Sequence, residues 1–209
     1  MPALHPTNTH RMTIAGMAIL SSVVLSACAT PNVAPAGFLQ SYDGLRASDE
    51  TGAVRMSTSS ADVLAGYTSI IVEDATLIEE RLSAEQEGAV RRALDTALRE
   101  ALSRDRQLAQ MPGPNTLRVR YAIVEVETSN VALNAATSLI IGAVDYGSLA
   151  LEAEIVDSET VEQRAALTWA RAAKATNVLG AYSSTGNARA LAPDFARRLA
   201  MLISPAAPS

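Results

Sequence analysis

The chain has 209 residues, a formal net charge of −5 and 4% aromatic residues. This mildly acidic, aromatic-poor composition argues against nucleic-acid binding, which requires a basic surface and, for single strands, stacking side chains. The only histidines are His5 and His10, and the only cysteine is Cys28. Cleavage before Cys28 would remove both histidines, the commonest general base and metal ligand. We therefore expect no enzymatic activity, no cofactor and no metal site.

Residues 1–27 are predicted to be a signal peptide. A polar start ends in Arg11 and is followed by an uncharged apolar run from Met12 to Leu25. A membrane-spanning helix requires about 20 apolar residues, and this run is shorter. Small residues follow it directly, as they do before a signal-peptidase cleavage site.

The end of this leader looks like the lipobox of bacterial lipoproteins, formed by Leu25, Ser26, Ala27 and Cys28. In such proteins the cysteine sulfur receives a diacylglycerol, and the freed amine is usually acylated. Two acyl chains anchor a protein stably, and a lone cysteine in an exported chain has no disulfide partner. We therefore expect Cys28 to be the lipid attachment site. The alternatives are cleavage after Ala27 by the general signal peptidase, and Cys28 as an ordinary linker residue.

The residue that follows Cys28 bears on the membrane to which the protein is sent. It is Ala29 and not aspartate, which in enteric bacteria directs lipoproteins resembling this one to the outer membrane. We expect an outer-membrane lipoprotein of the cell envelope that faces the periplasm. Its partners would be the membrane, through the lipid on Cys28, and another envelope protein.

The rest of the chain divides into four parts. Residues 28–36 contain two prolines among small residues and predict a lipidated tether. Residues 37–66 predict an irregular strap, residues 67–204 a single α+β domain, and residues 205–209 a frayed tail. The apolar residues expected to pin the strap to the domain are Phe38, Leu39, Tyr42 and Leu45.

The domain begins with a strand and a helix. Residues 68–77 are rich in β-branched side chains and predict a buried strand. Residues 83–103 predict a helix, because Ser83 and Gln86 form a capping box and apolar residues then recur every three or four positions. The Met-Pro-Gly-Pro run at residues 111–114 predicts a turn.

Three further strands are predicted. Residues 117–127 alternate between apolar and polar side chains. The parity of this alternation changes, which indicates a β-bulge near Ala122–Val124, or else a strand end with both faces covered. Residues 146–157 and 161–173 predict a hairpin whose turn lies at residues 157–160.

A second amphipathic helix closes the domain. It follows a polar loop over residues 177–186, and its apolar positions run from Leu191 to Leu202. Pro193 is tolerated only near the first turn of a helix, so this turn is expected to contain it. The predicted order is β-α-β-β-β-α. It indicates an α+β fold with a small, largely antiparallel sheet and two helices packed on one face.

Several charged residues are candidates for a site. Glu152 and Glu154 share one face of a strand, as do Glu125 and Glu127. Paired carboxylates can perform acid–base chemistry, but alternation alone explains both pairs as solvated sheet faces. Two arginines, Arg118 and Arg120, could bind an anionic group, although cross-strand pairing with Glu152 and Glu154 is favoured.

Two apolar features are also open to a functional interpretation. Trp169, the single tryptophan, is expected to anchor the core, with a ligand platform as the alternative. Residues 130–147 are almost uncharged and predict either a buried helix or loop, or an exposed patch for a partner or a bilayer surface. The candidate interaction residues in this run are Val131, Leu133, Leu139, Ile140 and Ile141.

From Gly37 onward the chain resembles a family of bacterial lipoproteins known as the domain-of-unknown-function 3313 family. The resemblance covers nearly all of the chain after the leader, and four stretches carry it: Gly37–Tyr42, Tyr67–Val72, Pro112–Arg120 and Glu152–Ser158. It implies an exported lipoprotein with a compact α/β domain. It implies no assigned activity and no catalytic residues.

The expected function is that of a non-enzymatic, lipid-anchored envelope protein that binds another protein or maintains the envelope. The alternative is a periplasmic carrier of a small ligand or lipid, with a pocket between the helix at residues 83–103 and the sheet. A cavity lined by Trp169 would favour this alternative.

Overall fold

The computed structural model describes residues 34–78, 81–128, 147–173, 180 and 183–204. Its strands are β1 Arg46–Ala47, β2 Val54–Thr58, β3 Ser69–Val72, β4 Thr76–Leu77, β5 Gln107–Leu108, β6 Thr116–Glu127, β7 Ser148–Asp157 and β8 Gln163–Ala172. Its helices are α1 Ala61–Ala65, α2 Ala84–Leu102 and α3 Gly186–Ile203.

The strands form one sheet in the order β1-β2-β8-β7-β6-β3-β5, and β4 also pairs with β6. The pairs β1–β2, β2–β8, β8–β7 and β7–β6 are antiparallel. The pairs β6–β3, β6–β4 and β3–β5 are parallel. A mixed α and β fold with a largely antiparallel sheet is therefore confirmed. The predicted order β-α-β-β-β-α is wrong, since the described ranges hold eight strands and three helices. The missed elements have two to five residues each, too few for their hydrophobic period to be recognised.

Residues 37–66 are irregular only in part. Strand β2 pairs antiparallel with β8 from Val54 opposite Trp169 to Thr58 opposite Ala165, and the short helix α1 follows it. The prediction of an irregular strap is thus wrong beyond residue 45. The backbone groups of β2 are satisfied by a strand that lies far away in the sequence, and local composition does not report such a partner.

The strand predicted over residues 68–77 is split into β3 and β4. Val72 lies opposite Val119 of β6, and Thr76 lies opposite Ala122. Three residues, 73–75, therefore oppose two residues of β6, and the chain bulges between the two short strands.

Helix α2 confirms the predicted capping box. Ser83 Oγ accepts a hydrogen bond from the Gln86 N–H at 3.3 Å, and the Ser83 N–H donates to Gln86 Oε1 at 2.9 Å. One stripe of the helix is buried, namely Val90, Leu94, Leu98 and Leu102. Full burial of a side chain of this kind stabilises the fold by about 1.5–3 kcal/mol, so packing of this stripe holds α2 on the sheet.

The bulge in β6 is confirmed. Ile123 pairs with Leu151 of β7 and Glu125 with Ala150, so Val124 is the extra residue. Before the bulge Tyr121 and Ile123 face the core, and after it Val126 does. The shift by one residue lets the strand keep apolar side chains on the core face on both sides of the irregularity.

Strands β7 and β8 form the predicted hairpin. Its turn follows Asp157, and Val161 within it has a φ of 62°. A left-handed φ is unfavourable for a β-branched residue. Strand β8 therefore begins at Gln163 and not at residue 161.

Helix α3 begins earlier than its apolar pattern indicates. It starts at Gly186, so Pro193 lies inside the helix, and the prediction that Pro193 belongs to the first turn is wrong. A Cβ atom at Gly186 would lie 2.7 Å from the Gly180 oxygen. This close approach of two backbone segments accounts for a helix start at glycine.

Both long helices pack on the same face of the sheet. The core includes Phe195 of α3, whose ring meets the Trp169 ring edge-on with centroids 5.7 Å apart. Trp169 is 2% exposed, which confirms its prediction as a core anchor. Buried Arg106 closes one end of this layer, since its guanidinium donates to the carbonyl oxygens of Leu64 and Ile203.

Candidate functional site

A pair of buried carboxylates lies on the sheet face opposite the helices. Leu151, Ala153 and Ile155 belong to the core on the helix face, so Glu152 and Glu154 point the other way. Both glutamates are 0% exposed, and the prediction that they form a solvated face is wrong. Residues 36–45, which we call the docked segment, cover them.

The docked segment binds these carboxylates through its backbone. The Ala36 N–H donates to Glu152 Oε1 at 2.8 Å, the Phe38 N–H to Glu152 Oε2 at 3.3 Å, and the Gln40 N–H to Glu154 Oε2 at 2.9 Å. Donors therefore recur at every second residue of the segment, and the two glutamates that accept them are likewise two residues apart on β7. Side-chain carboxylates here replace the carbonyl groups of a neighbouring strand.

Tyr42 holds the docked segment in a closed loop. Its hydroxyl donates to Glu152 Oε2 at 2.6 Å and accepts the N–H groups of Gly37 at 2.8 Å and Leu39 at 3.4 Å. Burial, followed by the hydrogen bond to Glu152, raises the pKa of Tyr42. Gly37 has a φ of 82°, a conformation that glycine adopts without steric cost. The start of the segment thus turns back around one hydroxyl group.

The far end of the docked segment is fixed by an amide and by apolar packing. Gln163 Oε1 accepts the Ser41 N–H at 2.9 Å, and Gln163 Nε2 donates to the Ser41 oxygen at 3.1 Å. Leu39 and Leu45 are 6% and 8% exposed and pack on Ala166 of β8. The sequence correctly indicated that apolar residues pin this part of the chain to the domain.

Two arginines border the docked segment. Arg120 Nη1 donates to Glu154 Oε1 at 2.6 Å, and its guanidinium lies 5.8 Å from the centroid of the Phe38 ring. The predicted cross-strand pair is confirmed for Arg120, which lies directly opposite Glu154. It is wrong for Arg118, which faces Val156 across the strands and pairs with Glu73 at 3.1 Å instead.

The carboxylate pair accepts hydrogen bonds from the docked segment of the same chain. Among the described residues Glu152 has no cationic partner, and two N–H groups and the Tyr42 hydroxyl hold its charge. Neither carboxylate is open to a substrate while the segment is docked. In the ranges that the structure describes, no group of three or more His, Cys, Asp or Glu could hold a metal ion.

The other predicted carboxylate pair is solvated as expected. Glu125 and Glu127 are exposed; Glu125 lies 3.6 Å from Arg81, and Glu127 accepts the Ser148 hydroxyl.

A carboxylate with a strongly shifted pKa lies at the β7–β8 turn. Asp157 accepts the N–H groups of Thr160 and Glu159 at 2.8 and 2.9 Å, and the Tyr67 hydroxyl at 2.7 Å. The Thr160 N–H contributes most to lowering the pKa of Asp157 to about 2, and the Tyr67 hydroxyl and the Glu159 N–H add to it. Burial raises the pKa of Tyr67, and its bond to Asp157 raises it further. This network closes the hairpin end of the domain.

A groove of about 750 Å³ runs along α3, beside the end of β8. Its apolar wall includes Trp169, Leu191 and Met201, and the Met201 side chain is 63% exposed. The predicted position of a pocket, between α2 and the sheet, is different. The groove lies along the other long helix, although Trp169 does line it.

Three arginines and one aspartate line this groove. Arg171 pairs with Asp49 at 2.8 Å, and Arg197 pairs with Asp194 at 3.0 Å. Burial raises the pKa of Asp49, but hydrogen bonds, chiefly from the Val54 N–H and Arg171, outweigh it and lower that pKa overall. The third arginine, Arg198, is half-buried and has no acidic partner among the described residues.

A model of the family described as protein of unknown function DUF3313 matches residues 34–199. The chain belongs to this family. None of the curated proteins compared with this DUF3313 chain matches it.

Several solved structures are similar to this DUF3313 chain. A PelC dodecamer from Paraburkholderia phytofirmans is 13% identical, with a TM-score of 0.46 over 72% of this chain and 95% of that one. A DUF4136 family protein from Bacteroides thetaiotaomicron is 9% identical, with a TM-score of 0.41 over 73% and 97%. A hypothetical protein from Chlamydia trachomatis is 12% identical, with a TM-score of 0.39 over 66% and 98%.

The stretches that suggested the DUF3313 family meet in the structure. Gly37–Tyr42 docks on Glu152–Ser158, and Arg120 lies beside both. The Gly113 N–H donates to Ser158 Oγ at 3.2 Å, which joins the turn before β6 to the end of β7. Residues of three of these stretches, distant in the sequence of this family member, thus contact one another, and Gly37–Tyr42 and Arg120 meet at the carboxylate pair.

The structure leaves the predicted lipid and interaction sites untested. The lipobox and the apolar patch lie outside the described residues: Leu25, Ser26, Ala27, Cys28, Val131, Leu133, Leu139, Ile140 and Ile141. Within the described part of the DUF3313 chain, no helix is both long and apolar enough to span a membrane. Sequence reasoning missed the groove, although Asn187, Leu191, Asp194 and Arg198 recur at helical spacing on one side of α3.

Proposed function

We propose that the chain is a lipid-anchored protein of the cell envelope, attached to the outer membrane through Cys28, facing the periplasm, and acting on an envelope protein partner by binding and not by catalysis. The lipobox motivates the anchor. The loss of both histidines with the leader motivates the absence of catalysis, because the commonest general base would be missing.

The docked segment is the observation that carries this proposal. The first of its backbone groups bound to the sheet is the Ala36 N–H, which donates to Glu152, and only seven residues lie between Cys28 and Ala36. A fully extended chain spans at most about 3.3–3.6 Å per residue, so the lipid would hold the domain within about 30 Å of the membrane surface. The docked segment would then connect the lipid anchor directly to β7, the central strand of the sheet.

The buried carboxylates support a binding role in preference to hydrolysis. Glu152 and Glu154 are candidates for an acid–base pair, yet both carboxylates already accept hydrogen bonds from the backbone of the docked segment. An enzyme of the same fold would have to undock the segment before either carboxylate met a substrate.

The anchor is tested with Cys28→Ser in cells supplied with labelled palmitate, followed by membrane fractionation. The variant is expected to lose the label and to leave the outer-membrane fraction, because no thiol remains to accept the lipid. Ala29→Ser is the matched control, since it alters the neighbouring residue and keeps the thiol. Labelled, outer-membrane Cys28→Ser protein would contradict the proposal.

A small-ligand carrier is the second candidate function, and the groove beside Trp169 is the observation that favours it. The groove volume of about 750 Å³ lies within the range of small-molecule sites, about 300–1,000 Å³. Because Trp169 is the single tryptophan of the chain and lines this groove, its emission reports on the groove and on the core beneath it. A change of that emission with dodecanol or with laurate supports the candidate, and no change with either contradicts it.

A further inference from the structure

We propose that the groove along α3 binds a fatty-acid-like anion, with its carboxylate on Arg198 and its acyl chain along the wall formed by Trp169, Leu191 and Met201. This inference rests on the second candidate function, the small-ligand carrier, and names the ligand class and the residue that selects it.

The charge of the groove favours an anion. Arg171 and Arg197 are each paired with an aspartate at 3.0 Å or less, so their charges are already compensated. Arg198 lines the same groove without an acidic partner in the described ranges. A half-buried guanidinium that lacks a counter-charge is a ready donor for a carboxylate, which it can bind through two parallel hydrogen bonds.

The shape of the groove favours an elongated ligand with an apolar part. Lining residues of α3 extend from Asn187 to Met201, a distance of about 21 Å at 1.5 Å per helical residue. The Trp169 and Leu191 side chains are buried at its floor, whereas Met201 is 63% exposed beside it. Methionine is unbranched and flexible, so it can follow an alkyl chain closely. An alkyl chain would cover the exposed Met201 side chain, whereas a small hydrophilic anion would leave it in water.

The test uses Trp169 emission of the full chain carrying Cys28→Ser, so that no attached lipid competes. Four probes are titrated below their micelle-forming concentrations: laurate, dodecanol, dodecyltrimethylammonium and acetate. Laurate is expected to bind at least about tenfold more tightly than each of the others, because only laurate combines the anionic head with the acyl chain.

Arg198→Ala is expected to weaken laurate binding by about tenfold or more while leaving dodecanol binding unchanged. Arg189→Ala is the matched control, because Arg189 lies on the same helix, outside the groove, and should have no effect. Arg198→Lys keeps the charge but not the two parallel hydrogen bonds, so its laurate affinity should lie between those of the parent chain and Arg198→Ala. An intermediate value would show that the alanine variant does not lose affinity through a folding defect.

The outcomes separate the inference from the function on which it rests. Equal affinity for laurate and dodecanol, equal effects of Arg198→Ala and Arg189→Ala, or acetate binding as tightly as laurate would each overturn the anion assignment and leave a carrier standing. No emission change with any probe would overturn both.

Discussion

Replacement of Glu152 by glutamine is expected to loosen the docked segment without altering the volume of the side chain. Glu152 Oε1 accepts the Ala36 N–H, and Oε2 accepts the Phe38 N–H and the Tyr42 hydroxyl. A glutamine oxygen can retain the two partners of Oε2. Its NH₂ group would then face the Ala36 N–H, and two donors cannot bond to each other.

The magnitude follows from these three bonds. A hydrogen bond to a charged group contributes about 1.5–3 kcal/mol, and a neutral one about 0.5–1.5 kcal/mol. Glutamine loses one charged bond, at about 1.5–3 kcal/mol, and turns two others neutral, at about 1–1.5 kcal/mol each, which sets an upper bound of about 3.5–6 kcal/mol. The start of the segment can detach and return its N–H groups to water, so the measured value should lie near the lower end of this range.

Two measurements check this expectation on the full chain. Urea unfolding gives the loss of free energy, and native-state hydrogen exchange shows where the structure opens, with the Phe38 and Gln40 amides expected to exchange faster than those of α2. Glu159→Gln is the matched control, because it removes the same charge from an exposed turn and should cost little. If Glu152→Gln is no less stable than Glu159→Gln and its Phe38 amide exchanges as slowly as in the parent chain, the carboxylate does not hold the segment.

Two further predictions concern the β7–β8 turn. The native pKa of Asp157 is lowered from 3.8 to about 2, so its stabilising contribution is present above pH 4 and is lost as the pH falls through 2. Because Asp157 is partly exposed, this contribution is at most about 2 kcal/mol; unfolding titrations from pH 6 to pH 2 should show it in the parent chain, and an equally steep Asp157→Asn profile would contradict the assignment. Val161→Asn should raise the free energy of unfolding by about 1 kcal/mol in thermal or urea denaturation, because asparagine tolerates the left-handed φ of 62° better than valine. The exposed valine Val63, whose φ is not positive, provides the control Val63→Asn, which should give no such gain.

The long, strongly periodic elements were predictable because their signals are local. The capping box of Ser83 and Gln86 and the apolar stripe of α2 depend on residues three or four positions apart. The parity change in β6 located the bulge at Val124 for the same reason. The start of α3 was not predictable in this way, since it depends on the approach of Gly186 to the Gly180 backbone.

The surroundings of the candidate sites, in contrast, were mostly not predictable from local sequence. Alternation placed Glu152 and Glu154 on one face of β7, and this is confirmed, but it also predicted that the face is solvated. No local sequence pattern predicts that residues more than a hundred positions earlier cover these glutamates. The Phe38 N–H, for example, donates to Glu152. The groove was missed for a similar reason, because one of its walls comes from β8 and the other from α3.

The sequence by itself determined the periodic elements, the family and the expected position of a lipid anchor at Cys28, since each of these depends on neighbouring residues. Only the tertiary structure decided which charges are compensated. Glu154 has Arg120, Glu152 has the backbone and hydroxyl of the docked segment, and Arg198 has no partner among the described residues. Charge compensation depends on distances of a few ångströms between residues that are far apart along the chain, and those distances exist only in the fold.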